Sequence, residues 1–121
     1  MSLLHPTMGE ICDRWCVCLL RVRALRDRGA TFADVDSEIQ ELRALMPQKN
    51  GKTLLQLYFV NERIWEALDE MHDTARWRRL RIAKLATRAA ALNRERAECV
   101  CLLNAEAGDA REDAKLYGRK G

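Results

Sequence analysis

Two pairs of carboxylates are spaced so that they can hold a metal ion. Glu10 and Asp13 are three residues apart, and so are Glu66 and Asp69. A three-residue step places both groups of a pair on one side of a helix. Mg²⁺ prefers oxygen ligands, and water bound to a metal ion can attack a phosphate. If the two segments pack together, the four carboxylates predict a Mg²⁺-dependent hydrolase of nucleotide phosphates.

A basic segment offers a different chemistry, the binding of an anion. Residues 74–96 contain eight lysines and arginines but a single acidic residue, Glu95. The residues expected to contact an anionic partner are Arg76, Trp77, Arg78, Arg79, Arg81, Lys84 and Arg88. The last three fall on one side of a helix, where they can neutralise phosphates, and Trp77 can stack on a base. The alternative is that these cations pair with a neighbouring acidic helix or are only solvated.

The five cysteines do not form an obvious metal site. They are Cys12, Cys16, Cys18, Cys99 and Cys101. Around a helix, Cys18 lies about 200° from Cys16, so one helix cannot direct all of its thiols at one ion. Buried cysteines that act as small hydrophobic residues are the expectation, and a soft-metal site is the alternative. An odd count without a secretory signal favours reduced thiols in a cytoplasm.

Length and composition exclude several other classes. The chain has 121 residues with a net charge of +3, a single-domain length. No apolar run approaches the ~20 residues that span a bilayer, so a membrane partner is not expected. The segment Asn50-Gly51-Lys52-Thr53 ends like a Walker loop but lacks the preceding strand and glycine. Two histidines, His5 and His72, offer no Ser-His-Asp pattern.

Four amphipathic helices are expected to position these groups. The first begins at Thr7, which forms a capping box with Glu10, and ends near Arg28 before a capping glycine. Its apolar stripe is Met8, Ile11, Trp15, Cys18, Val22 and Leu25. The second helix opens at Thr31 and stops before Pro47. Its stripe is Val35, Ile39, Leu42 and Met46.

The third and fourth helices are longer. The third begins near Thr53, and a tight turn near 73–77 separates it from the fourth, which ends near Gly108. The stripe of the third is Leu54, Leu57, Ile64, Leu68 and Met71. The stripe of the fourth is Leu80, Ile82, Leu85, Ala86, Ala89, Leu92, Cys99, Val100 and Leu103. The sequence therefore predicts an all-α fold, a four-helix bundle-like domain over 1–108 with a short polar tail over 109–121.

Polar side chains interrupt or border these stripes. They are Asn61, Asn93, Asn104, Arg14 and Arg96. A buried asparagine needs hydrogen-bond partners and can fix how helices align. For these residues we expect a structural role rather than a catalytic one.

Several stretches resemble a family of small helical bacterial and phage proteins whose function is uncharacterised. The resembling residues are 9–14, 61–69 around Trp65, 92–97, Asn104, Glu112, Lys115 and Tyr117. Where that family tends to have an aliphatic residue or threonine after its Asp-Arg pair, this chain has Trp15 and Cys16, and the segment 76–81 is not part of its pattern. The resemblance implies an all-helical bundle of bacterial or phage origin and implies no activity.

Two functional classes compete, with a third beside them. The leading hypothesis is a binding module, dimeric and without a cofactor, that presents its basic fourth helix to an acidic protein surface, a nucleotide or a nucleic acid. The second is the Mg²⁺-dependent hydrolase, which also resembles all-helical nucleotide pyrophosphohydrolases through the E-x-x-D motif at 66–69. The third is a subunit of a larger assembly such as a virion. Long amphipathic helices are compatible with it.

Overall fold

The computed structural model describes residues 5–46, 51–74 and 79–108. These ranges form four helices, α1 (Met8–Asp27), α2 (Ala33–Leu45), α3 (Lys52–Thr74) and α4 (Arg79–Ala107), and they contain no strand. The predicted all-α, four-helix bundle-like fold is confirmed. The predicted polar tail lies outside the described residues, as does the part of the predicted turn at 75–77. Residues 73 and 74, also placed in that turn, belong to α3 instead.

Helix α1 begins at a capping box and ends before a glycine, as its residue types predict. The Glu10 amide donates to Thr7 Oγ1 at 3.2 Å, and the Thr7 amide donates to Glu10 Oε1 at 2.9 Å. This capping box satisfies amide groups that a helix start leaves without partners. Arg28 is the C-cap, and Gly29 follows with a φ of 70°. A residue with a Cβ would be strained in this left-handed conformation, so the predicted start and end of α1 are confirmed.

Helix α1 is apolar on two sides, because it packs between α2 and the other two helices. Cys18 and Val22 form one cluster with Val35 of α2. Cys12 and Cys16 belong to a larger cluster with residues of α3 and α4. Neither cysteine is more than 2% exposed. The predicted stripe of α1 omitted both, although they provide the surface that meets α3 and α4.

The predicted start of α2 is wrong by one residue. Phe32 is the N-cap instead of Thr31, and no side chain caps the helix. The ring of Phe32 packs against the cluster around Val22, and the Arg26 guanidinium lies 5.5 Å from its centre. The residue at the start of α2 therefore contributes packing of its aromatic ring and not a capping hydroxyl.

Helices α3 and α4 run antiparallel as a hairpin. Thr53 Oγ1 donates to Glu106 Oε2 at 3.0 Å at one end, and Glu70 forms an ion pair with Arg81 at the other. Between these ends, apolar residues of the two helices interdigitate. Val60 and Ile64 of α3 pack with Leu92 of α4.

Three residues of the predicted stripes are exposed. Leu68 is 47% exposed and Leu80 is 81% exposed, and Ala86 is exposed as well. On α3, Val60 and Ala67 are buried although they lie outside the predicted stripe, and Val60 packs with Leu92 of α4. The apolar spacing of α3 fits two adjacent sides of the helix, and the partner helices decide which one is buried.

Burial along α4 changes at its midpoint. Between Arg79 and Glu95 the buried residues are Leu85, Ala89 and Leu92, a narrow strip that matches a single neighbouring helix. From Arg96 to Asn104 most residues are buried or half-buried, because α1 also packs there. Nowhere in the described ranges does a helix combine the length and apolar character needed to cross a bilayer.

Candidate functional site

The basic residues at the start of α4 form an exposed surface. Arg79, Arg81, Lys84 and Arg88 are all exposed, and the last three span about 10 Å at the helical rise of 1.5 Å per residue. Arg81 forms an ion pair with Glu70 of α3. We call these four α4 residues the basic surface. Within the described ranges, Arg79, Lys84 and Arg88 have no ion-pair partner.

A shallow depression of about 510 Å³ opens at one end of this surface. It is lined by Arg79, Leu80, Arg81 and Lys84. The cations surround the exposed side chain of Leu80, so the depression combines positive charge with apolar contact area. Such an arrangement can attract an anion through Coulombic attraction. The other predicted contact residues, Arg76, Trp77 and Arg78, lie outside the described residues.

Asp13, one of the four predicted metal ligands, lies in a polar network where α1, α3 and α4 meet. Arg96 Nε donates to Asp13 Oδ1 at 2.8 Å, and Arg96 Nη2 donates to Asp13 Oδ2 at 2.5 Å. Asn61 Nδ2 donates to the same Oδ1 at 2.9 Å and to the Leu57 carbonyl at 3.2 Å. The network therefore satisfies both oxygens of the carboxylate.

The position of Arg96 made this network partly predictable. It follows the buried Ala89 by seven residues and precedes the buried Leu103 by seven, so it stands within the apolar seam of α4. The hydrogen bonds to Asp13 raise the pKa of the Arg96 guanidinium, which stays charged. Spacing could place Arg96 in the seam, but it could not identify a carboxylate 83 residues away.

The remaining carboxylates have separate surroundings. Glu10 accepts the capping hydrogen bond from Thr7, whereas Glu66 and Asp69 are exposed on α3. Among the residues that the structure describes, no three His, Cys, Asp or Glu side chains are arranged to hold a metal ion. Asp13 would have to release Arg96 and Asn61 before it could bind one. The Mg²⁺-dependent hydrolase stays a prediction without support from these positions.

Three of the five polar residues near the stripes are in the interior. Asn61 and Asn104 are at most 1% exposed, and Arg96 is half-buried. The Gly9 amide donates to Asn104 Oδ1 at 2.6 Å, which joins the start of α1 to the end of α4. Asn93 and Arg14 are exposed, and Arg14 Nε donates to Glu38 Oε2 at 2.6 Å.

The cysteines behave as apolar core residues. Four of them, Cys12, Cys16, Cys18 and Cys99, are buried, and Cys101 is half-buried. Burial raises the pKa of Cys12 to about 11 and also raises the pKa values of Cys16, Cys18 and Cys99. Since the thiolate is the reactive and metal-binding form, these four thiols are poor nucleophiles at neutral pH.

No protein-family model matches the chain, and neither a curated protein nor a solved structure is significantly similar to it. The resemblance to small helical bacterial and phage proteins therefore has no support from a family match.

Proposed function

We propose that this chain is a non-enzymatic binding module that engages an anionic partner through the basic surface of α4. The observation that carries the proposal is the exposure of Lys84 and Arg88 on one side of α4, where neither has an ion-pair partner among the described residues. Two exposed arginines on α1 are neutralised instead, Arg14 by Glu38 and Arg23 by Glu62.

The mechanism is electrostatic attraction followed by contact with the depression around Leu80. Cations on one helix side raise the local concentration of an anionic partner and speed its association. Binding of this kind weakens steeply with added salt. The partner class is an acidic protein surface, a nucleotide or a nucleic acid, all of which present negative charges at this scale.

The proposal also includes the oligomeric state of the protein and the cellular compartment in which it acts. We infer a homo-oligomer, most simply a dimer, which acts in the cytoplasm of a bacterium or of a phage-infected bacterium. The long helices and the reduced, buried cysteines support this reading. No cofactor is required for a binding module of this type.

A charge-reversal experiment with a matched control tests the basic surface. The variant carries Lys84→Glu and Arg88→Glu and keeps Arg79. The control carries Arg63→Glu and Arg94→Glu, which are also exposed and change the net charge by the same amount. Heparin-agarose serves as the polyanion probe, and circular dichroism verifies that both variants remain helical.

The wild-type protein and the control should elute from heparin at higher salt than the variant. The ratio of absorbance at 260 and 280 nm should also fall toward a protein-only value in the variant, if a nucleotide or nucleic acid co-purifies with the wild type. Equal loss of heparin retention in both variants would mean that only net charge matters. That result would refute the basic surface as a binding site.

A further inference from the structure

An apolar strip continues along α3 beyond the region that α1 covers. Leu54, Asn61 and Leu68 recur every seven residues and therefore share one side of the helix. Leu54 packs in the same cluster as Cys12 of α1, and Asn61 bonds to Asp13 of α1. Leu68 is on the same side but is 47% exposed. The side of α3 that holds α1 thus extends past it as exposed apolar surface.

Helix α4 also has one side that α1 covers near one end of the helix and leaves partly uncovered near the other. Ile82, Ala89, Arg96 and Leu103 also recur every seven residues. Leu103 packs in the cluster that includes α1, and Arg96 bonds to Asp13, whereas Ile82 is half-buried. In this half of the α3–α4 hairpin, Leu68 is exposed, whereas Trp65 and Ile82 are only half-buried.

A third position on α3 follows this pattern. Tyr58 packs against the cluster shared with α1, but Trp65, seven residues later, is half-buried outside it. We call Trp65, Leu68 and Ile82 the hairpin strip. Two helices cannot enclose a core by themselves, because a bundle needs helices on the remaining sides.

We propose that a second copy of this chain docks on the hairpin strip through its own hairpin strip. This inference depends on the dimer included in the proposed function and identifies its interface. Two hairpins supply each other with the two helices that each lacks, so that the dimer encloses a four-helix bundle. The strip also continues the interface that α1 already makes with the same sides of α3 and α4.

The charges beside the strip favour a second copy over a partner of one sign. Asp69 is adjacent to Leu68 on α3, and Arg79 lies one turn before Ile82 on α4. Both are exposed, and neither has an ion-pair partner among the described residues. A two-fold axis that sets α3 of one copy beside α4 of the other can pair Asp69 with Arg79 twice. A uniformly acidic or basic partner would leave one of them opposite a like charge.

The first test compares two leucines on the same helix. Leu68→Glu alters the hairpin strip, whereas Leu55→Glu alters a leucine that is 57% exposed but outside it. Size-exclusion chromatography with light scattering over a concentration series measures the dimer dissociation constant. Loss of an apolar contact in both copies should raise that constant by about 100-fold or more for Leu68→Glu. Leu55→Glu should dimerise like the wild type.

The second test uses the charges and does not depend on the leucine. Asp69→Arg alone should weaken the dimer, since it opposes Arg79, and Asp69→Arg with Arg79→Asp should restore it. A monomeric wild type, or equal dimerisation of the two leucine variants, would overturn the proposed interface. Heparin retention of Leu68→Glu is measured in parallel. It separates failure of this interface from failure of anion binding, because the variant leaves the four α4 cations in place.

Discussion

Asp13 and Arg96, 83 residues apart in the chain, are joined by two parallel, partly buried hydrogen bonds between α1 and α4. Asn61 adds a third bond to the same carboxylate, so α1, α3 and α4 are joined at one point. An apolar side chain at position 96 would continue the apolar stripe of α4 and would be compatible with several alignments of α4 against α1. A charged side chain is compatible only with the alignment that brings it to its carboxylate.

Removal of Arg96 should destabilise the protein strongly. In Arg96→Leu, the Asp13 carboxylate keeps only Asn61 as a partner. The loss should be about 3 kcal/mol, at the low end for a buried pair because the Arg96 side chain is 34% exposed and that of Asp13 is 15% exposed. Urea unfolding measures the change. The double variant Asp13→Leu with Arg96→Leu should recover part of the loss, since no unpaired charge remains.

Arg14 supplies the matched control for this experiment. It pairs with Glu38, but its side chain is 69% exposed, so Arg14→Leu should cost at most about 1 kcal/mol. Equal costs for the two arginines would show that the interior pair contributes no more than a surface pair.

Local features of the chain were predictable, and the arrangement of helices was less so. The Thr7 capping box depends on residues three positions apart, and the structure contains it as expected. Leu68 belongs to the predicted apolar stripe of α3 but is 47% exposed, because spacing cannot tell which side of a helix meets a partner. Cys12 and Cys16 were expected to be buried, but their contact surface with α3 and α4 becomes visible only when four helices are assembled.

For the candidate sites, too, exposure was predictable from the sequence, whereas contacts between distant residues were not. Exposure of Lys84 and Arg88 agrees with the polar side predicted from spacing. The role of Asp13 was not predictable, because its partners come from two distant helices. A carboxylate three residues from another fits metal binding, helix capping and ion pairing equally well when only the sequence is known.

Gly9 should not tolerate a larger residue. A Cβ at this position would overlap the Val100 carbonyl oxygen and lie 2.8 Å from Asn104 Oδ1. Alanine normally stabilises a helix by about 1 kcal/mol relative to glycine, yet Gly9→Ala should destabilise this protein by about 2 kcal/mol. Thermal unfolding followed by circular dichroism measures the difference. Gly51→Ala is the control, since a Cβ at Gly51 would lie 3.9 Å from its nearest neighbouring atom. Similar melting temperatures for both variants would contradict the prediction.

Acidification should remove the contribution of Glu38 to stability. The hydrogen bond from Arg14 holds the pKa of Glu38 below its ordinary value of 4.5. The unfolded chain therefore binds this proton at a higher pH than the folded protein does. Stability from the pair is present above the unfolded pKa and is lost as the pH falls through the folded pKa.

Melting temperatures of the wild type and Glu38→Gln measure this effect. The wild type should be slightly more stable at about pH 6, and the difference should shrink progressively as the pH falls below 4.5. A difference that stays constant or grows on acidification would be inconsistent with the lowered pKa.

The bond between the Gly9 amide and Asn104 Oδ1 spans 95 positions of the chain. During synthesis, α1 leaves the ribosome long before the end of α4 does. Until then, the side of α1 that carries Cys12 and Cys16 lacks the neighbours that cover it in the finished protein. The nascent chain thus exposes an unfinished apolar surface for most of its translation, and the core can close only after the last helix has emerged.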